Sequence, residues 1–124
     1  MATIALNQDN FEKTITQGTV LVDFWAPWCG PCRAFGPIFE KASLANPEVS
    51  FAKVNTEDEP ALGQLFGIQA IPTLMVFRDG ILLFKQAGAL PAAVLQRLID
   101  EVKALDMEKV RAEVKAKAAN VDAA

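Results

Sequence analysis

An almost continuous apolar run from Val20 to Trp25, interrupted only by Asp23, is the strongest constraint on the fold of this chain. A strand that is covered on both faces of a sheet is apolar along its length, whereas a half-exposed strand alternates apolar and polar residues. Residues 51–55 and 71–77 are also rich in apolar residues, and stretches with helical spacing lie between the runs. Such alternation predicts an α/β domain.

Local signals place the first two helices. One is expected over residues 8–17, with Asn7 or Asp9 as its N-cap. The second is expected to begin near residues 29–32 and to bend at Pro37, because proline lacks the backbone donor of a helix interior.

The second half of the sequence predicts a short helix and a hairpin. Pro60 suits the first turn of a helix that ends near Phe66. Residues 71–77 predict a strand, and the Asp-Gly turn in residues 78–81 returns the chain through Lys85. The last helix of the domain is expected to bury a stripe at helical spacing, formed by Val94, Leu98, Val102 and Leu105.

Length and composition bound the class of protein. The 124 residues, 52% hydrophobic and 22% charged, suit one globular domain. A net charge of −3 gives no reason to expect a nucleic-acid or anionic-membrane partner. Residues 1–9 do not resemble a signal or transit peptide, and no run reaches the ~18 apolar residues of a membrane helix. A cytoplasmic protein is the expectation.

Both cysteines of the chain, Cys29 and Cys32, lie two positions apart at the expected start of a helix. The positive end of a helix dipole favours the thiolate, which is the reactive form. Zinc would need further Cys or His ligands, and the chain has no other cysteine and no histidine, so no metal site is predicted. A structural crosslink across so short a loop would stabilise little. A redox pair is therefore favoured.

Several motifs together resemble the thioredoxin family. They are Val-Asp-Phe-Trp-Ala-Pro-Trp-Cys-Gly-Pro-Cys-Arg at residues 22–33, then Pro37, Ala-Ile-Pro-Thr at residues 70–73, and Gly88. The match runs over roughly residues 1–105. It implies a central mixed sheet flanked by helices on both faces, and a monomeric general disulfide reductase. It further implies no bound cofactor, with electrons from NADPH delivered by a thioredoxin reductase to disulfide-containing protein substrates.

The resemblance assigns unequal roles to the two cysteines, which would form the redox disulfide. Cys29 is expected to be the exposed attacking thiolate that forms a mixed disulfide with the target. Cys32, one helical step inward, is expected to be the resolving thiol. Gly30 and Pro31 would allow close approach of the substrate backbone and hold the turn.

Asp23 lies in an apolar run, where a charge is costly unless it is paired or neutralised. A solvated carboxylate on an edge strand is the alternative for an isolated aspartate. By resemblance, Asp23 is the buried acid that exchanges a proton with Cys32, with its pKa raised by desolvation. Lys53 in the next strand is its expected partner, and a surface lysine is the alternative.

The Ile71-Pro72 bond is expected to be cis by resemblance and to pack beside Cys29. The Ile71 backbone could then pair with an extended substrate strand. The same matched motif places Thr73 among the substrate-binding residues. A small apolar docking surface is expected from Trp28, Ile71, Ala87, Gly88 and Ala89, whereas Trp25 is expected to serve only core packing.

Residues 106–124 extend beyond the resemblance and are expected to form a second unit after a domain of residues 1–105. A partly frayed helix, capped at Asp106, is expected there, with a thin stripe of Met107, Val110 and Val114. One alternative function is a binding or chaperone subunit that docks partners through this tail. Another is an oxidase or isomerase of an oxidising compartment, against which the sequence of the N-terminus argues.

Overall fold

The sheet is mixed and has the strand order β1-β3-β2-β4-β5. It is seen in a computed structural model that describes the backbone of residues 3–123 and the side chains of residues 3–118. The strands are β1 (Thr3–Ala5), β2 (Thr19–Trp25), β3 (Ser50–Asn55), β4 (Thr73–Arg78) and β5 (Ile81–Ala87). β1 and β2 are parallel to β3, whereas β4 is antiparallel to β2 and to β5. The predicted α/β class is confirmed.

Helices cover both faces of the sheet, as predicted. The helices in the described part of the chain are α1 (Phe11–Ile15), α2 (Gly30–Ala45), α3 (Pro60–Leu65), α4 (Ala92–Ala104) and α5 (Met107–Ala123), of which α5 lies at the end of the sheet. Successive residues of β2 face opposite sides: Val22 belongs to a buried cluster with Phe11 and Leu62, and Leu21 to a second cluster with Phe39. The apolar run of β2 is thus explained, because each of its faces meets a layer of helices.

Two element boundaries differ from the sequence predictions. α1 begins at Phe11, because the Asn7 carboxamide oxygen accepts the N–H groups of Asp9 and Asn10 and holds a separate turn before the helix. β4 begins at Thr73, two residues late, since Pro72 has no N–H to donate to a strand ladder.

The buried stripe of α4 is shifted from the predicted one. Leu95, Ile99 and Val102 are buried in the cluster that also contains Phe39 of α2. Of the predicted stripe, Val102 is buried and Leu98 is half-buried against the same cluster, whereas Val94 and Leu105 are 38% and 40% exposed, so the prediction is wrong at these two positions. The sequence offers both stripes at helical spacing.

α5 packs at the hairpin end of the sheet, beside the turn between β4 and β5. The Asp106 carboxylate accepts the N–H groups of Glu108 and Lys109 at 3.0 and 3.4 Å, so the predicted cap is confirmed. Met107 is buried, and the Arg111 guanidinium lies 3.6 Å from the Asp79 carboxylate in the hairpin turn. The division at residue 105 stays a prediction, and residues 1, 2 and 124 lie outside the described residues.

Replacing Met107 by alanine should lower the free energy of unfolding by about 2 kcal/mol, because a buried side chain would be lost at the base of α5. Val114 of the same helix is 46% exposed and serves as the matched control. Val114→Ala should change the free energy by less than about 0.5 kcal/mol. Urea titration of both variants measures the difference. Equal effects would mean that α5 is not anchored through Met107.

None of the helices in the described part of the chain has both the length and the apolar character needed to cross a membrane.

Candidate active site

The two cysteines form a disulfide at the N-terminus of α2, with their Cα atoms 5.2 Å apart. Cys29 is the N-cap residue, and its Sγ accepts the Cys32 N–H at 3.2 Å. Pro31 lies in the first turn, where its missing N–H costs no helical hydrogen bond. The helix dipole and this N–H both favour negative charge on the Cys29 sulfur once the disulfide opens.

The disulfide itself is shielded. Cys29 and Cys32 are each 4% exposed, since Ala26, Trp25 and Ile71 pack around them. Cys29 is therefore not exposed in the disulfide form, and the exposed attacking thiolate expected for the reduced form stays a prediction.

The neighbours of the disulfide on the surface are open to solvent. Gly30 and Pro31 are exposed, and Trp28 is 64% exposed. The Arg33 guanidinium donates to the Pro27 carbonyl at 3.3 Å and so ties α2 to the loop that carries Trp28. A substrate that approaches the sulfurs would meet this rim first.

The Ile71-Pro72 peptide bond is cis, as predicted. The Ile71 carbonyl oxygen lies 3.6 Å from Cys29 Sγ, which places this segment directly beside the disulfide. Pro72 is buried, and its carbonyl accepts the Gly88 N–H at 2.8 Å. Gly88 has a φ of 107°, a conformation that glycine adopts without strain.

Thr73 lies at the start of β4 and is buried. Its hydroxyl donates to the Ala70 carbonyl at 2.5 Å. The side chain thus holds the turn that presents Ile71, and it does not project towards solvent. Ala87, Gly88 and Ala89, in contrast, are exposed next to this turn, where the docking surface is predicted.

Asp23 lies at the middle of β2, between Lys53 of β3 and Leu74 of β4, and is fully buried. The edge-strand alternative is therefore wrong. Neither carboxyl oxygen has a hydrogen-bond partner among the described residues. Burial raises the pKa of Asp23 from 3.8 to about 7, and the charge of Lys53 offsets part of this rise. Strand alternation places Asp23 on the same face as Leu21, which α2 covers.

Lys53 is half-buried, and its ammonium lies 4.6 Å from the centre of the Trp25 ring. This is a cation–π contact. Within the described residues the Lys53 ammonium forms no ion pair within 4 Å, so it acts on Asp23 through space. Trp25 therefore does not serve core packing alone. Together with Lys53, Asp58 and Glu59 it lines a cavity of 410 Å³. The sequence did not indicate this cavity.

No cluster of three or more His, Cys, Asp or Glu side chains suited to a metal ion occurs in the described part of the chain. The chemistry that the arrangement supports is carried by the two sulfurs and the buried carboxyl. Two cysteines at this spacing can interconvert between a disulfide and a dithiol by exchange with another disulfide.

Residues 2–101 match the family model for thioredoxin. The putative thioredoxin 2 of Streptomyces coelicolor is 51% identical over 111 residues, which are 89% of this chain and 83% of that protein. Thioredoxin 1 of Synechococcus elongatus is 39% identical over 100 residues, which are 78% of this chain and 94% of that protein.

Solved structures agree with the sequence relatives. A mutant thioredoxin from Halobacterium salinarum superposes with a TM-score of 0.77 at 28% identity, over 84% of this chain and 93% of that one. The thioredoxin of Malassezia sympodialis superposes with a TM-score of 0.73 at 34% identity, over 82% of this chain and 93% of that one. These matches confirm the predicted thioredoxin fold, and nothing in them or in the described residues favours a chaperone subunit. This chain belongs to the thioredoxin family and is a thiol–disulfide oxidoreductase of the protein-disulfide reductase type.

Proposed function

We propose that Cys29 attacks disulfides of protein substrates and that Cys32 resolves the mixed disulfide. The observation that carries this assignment is the position of Cys29 as N-cap of α2, where its sulfur accepts the Cys32 N–H. A thiolate at this atom is stabilised by the helix end. Cys32 lies inside the first turn, three residues on, and has no such position.

The exchange proceeds in two balanced steps. The Cys29 thiolate bonds to one substrate sulfur, and the other substrate sulfur leaves as a thiolate that takes up a proton. Cys32 then gives its proton to Asp23 and attacks Cys29 Sγ, which expels the remaining substrate sulfur as the second thiolate. The substrate gains two electrons, and Cys29 and Cys32 end as the disulfide.

Asp23 suits the role of proton acceptor because burial brings its pKa to about 7. A group whose pKa lies near the working pH can both take and return a proton. Lys53 acts on this proton transfer through its charge, which lowers the pKa of Asp23.

An extended substrate segment would dock on the backbone of Ile71, which the cis bond to Pro72 presents beside Cys29. The exposed Trp28 and Gly88 flank this position, and Gly30 and Pro31 leave room for the substrate main chain. We call residues 67–72 the docking segment. The buried Thr73 supports it through a hydrogen bond from its hydroxyl to the Ala70 carbonyl.

Each turnover leaves the chain as a disulfide, so a two-electron donor must restore the dithiol. Thioredoxin reductase, supplied with electrons by NADPH, is the partner that fits the family. A cytoplasmic setting suits this cycle, because protein thiols are kept reduced there. Proteins of this family carry no prosthetic group, and the cysteine pair alone holds the electrons.

Replacing Cys32 by serine should trap the mixed disulfide, because the resolving thiol is lost while Cys29 still attacks. With a disulfide-containing protein substrate, the reduced variant should form one covalent adduct that dithiothreitol releases. Non-reducing electrophoresis and intact mass measure it. The double variant Cys29→Ser, Cys32→Ser is the control and should form none. An adduct in the double variant, or none in Cys32→Ser, would contradict the assigned roles.

A further inference from the structure

The segment from Gly67 to Pro72 connects α3 to β4 and delivers the Ile71 carbonyl to the disulfide. At its start, the Ile68 N–H donates to the Gly63 carbonyl at 2.9 Å, which closes the end of α3. At its end, the Thr73 hydroxyl holds the Ala70 carbonyl. Residues 69 and 70 between these points are exposed. Ile68 packs against the core cluster that contains Phe11, and Ile71 packs against the two cysteines, so residues 69 and 70 are the part of this segment that is held by the fewest contacts.

Lys85 of β5 reaches across a cleft to this segment. Its ammonium donates to the Phe66 carbonyl at 2.5 Å, at the C-terminal end of α3. The cleft has a volume of 280 Å³ and separates residues 67–70 from residues 85–87. Among the described residues, this is the one side-chain hydrogen bond between residues 66–70 and β5.

The partner of the Lys85 ammonium is a peptide carbonyl and not a carboxylate. In the described part of the chain, Lys85 takes part in no ion pair within 4 Å. A cation at the C-terminal end of a helix is favourable, because the last carbonyls carry partial negative charge. A charge-assisted hydrogen bond of this kind also restrains the orientation of the Phe66 carbonyl. Lys85 thus links β5, the outer strand of the sheet, to Phe66, the residue that precedes the docking segment.

We propose that Lys85 is a positioning residue for disulfide exchange. By holding the Phe66 carbonyl, it fixes residues 67–72 and so the Ile71 backbone on which a substrate strand docks. Lys85 does not touch the reacting sulfurs. The inference rests on the proposed docking at Ile71 and names a residue that secures it.

Replacing Lys85 by methionine keeps the length and apolar stem of the side chain but removes the donor. KM for insulin should rise ~3- to 5-fold, since one hydrogen bond that holds the docking segment is lost. The value of kcat and the rate with a small aromatic disulfide, which needs no strand docking, should not change. Lys85→Arg restores a charged donor and should return KM to within about twofold of the parent protein.

Two measurements separate positioning from charge and from folding. The rise in KM should persist at 0.5 M salt, where long-range charge effects are screened. Amide exchange at residues 69–71 should speed up in Lys85→Met and recover in Lys85→Arg. Lys41→Met removes an exposed lysine of α2 and is the matched control, with KM and exchange unchanged.

Distinct results would overturn the proposal. An unchanged KM in Lys85→Met, a loss of the effect at high salt, or a failure of Lys85→Arg to restore KM would each do so. An equal slowing of the small disulfide would place the effect on Cys29 itself. Failure of the parent protein to reduce insulin would instead count against the proposed function, while the exchange measurement still tests the contact.

Discussion

Catalysed reduction of insulin by dithiothreitol should fall to the uncatalysed rate when Cys29 is replaced by serine. A serine hydroxyl is not ionised near neutral pH and cannot form a disulfide, so the first exchange step is lost. The turbidity that develops as insulin chains separate measures the rate. The loss should be complete at every concentration of the variant, because Cys32, the one cysteine that remains in the sequence, lies inside the first turn of α2 and not at its N-cap.

The fold should survive this substitution, which makes the loss of activity interpretable. Serine has nearly the same size as cysteine and is itself a favourable N-cap residue, so its hydroxyl can accept the Cys32 N–H. Circular dichroism and a thermal melt of reduced Cys29→Ser should match those of the reduced parent protein. Activity at the parent rate would show that Cys29 is not the attacking group.

Replacing Asp23 by asparagine should raise the free energy of unfolding at pH 8 by about 4 kcal/mol. Burial raises the pKa of Asp23 from 3.8 in an ordinary setting to about 7 in the folded protein. Since one pKa unit corresponds to ~1.4 kcal/mol, ionising Asp23 in the folded protein costs about 4 kcal/mol more than ionising it in the unfolded chain. The stability that the protonated carboxyl contributes is fully present below pH 4 and is lost as the pH rises through 7. Asparagine carries no charge to bury at any of these pH values.

The measurement is a series of urea titrations of the oxidised protein between pH 4 and pH 8. The difference between Asp23→Asn and the parent protein should grow across this range and level off above pH 7. Asp58→Asn changes an exposed aspartate and is the control, with a difference that stays within about 0.5 kcal/mol. A difference that is the same at both ends of the range would contradict a raised pKa.

Asp23→Asn should also slow the resolving step, because Cys32 loses its proton acceptor.

The sequence predicted the elements that combine a strong local pattern with a distinct boundary. β2 is apolar on both faces, and the Asp-Gly turn fixes the hairpin between β4 and β5. β1 has only three residues and owes its strand form to pairing with β3, nearly fifty residues later in the chain. The residues near β1 in the sequence do not indicate that β3 is its partner. In α4 two stripes have helical spacing, and Leu95 and Ile99 are buried in a cluster with Phe39 of α2, a contact between segments that local sequence does not indicate.

The site was predictable where residue type alone implies chemistry. The redox pair of Cys29 and Cys32 follows from residue type and spacing, whereas the roles expected for Asp23 and Pro72 come from the family resemblance. The shielding of Cys29 depends on Trp25 and Ile71, which come from different segments. Lys85 gave no signal, because a lysine in an outer strand usually points to water and its carbonyl partner lies nineteen residues earlier.

Because α5 lies at the hairpin end of the sheet, substitutions in it are far from the cysteine pair. Along β4, the segment from Thr73 to Arg78 covers about 16 Å, at ~3.3 Å for each residue. Thr73 adjoins the cis proline, and Arg78 adjoins the turn that Arg111 holds. Effects of substitutions separated by more than about 10 Å usually add. The change in the free energy of unfolding caused by a substitution in α5 should therefore add to the change caused by a substitution at the cysteine pair. Stability can then be altered at α5 without altering disulfide exchange at the cysteines.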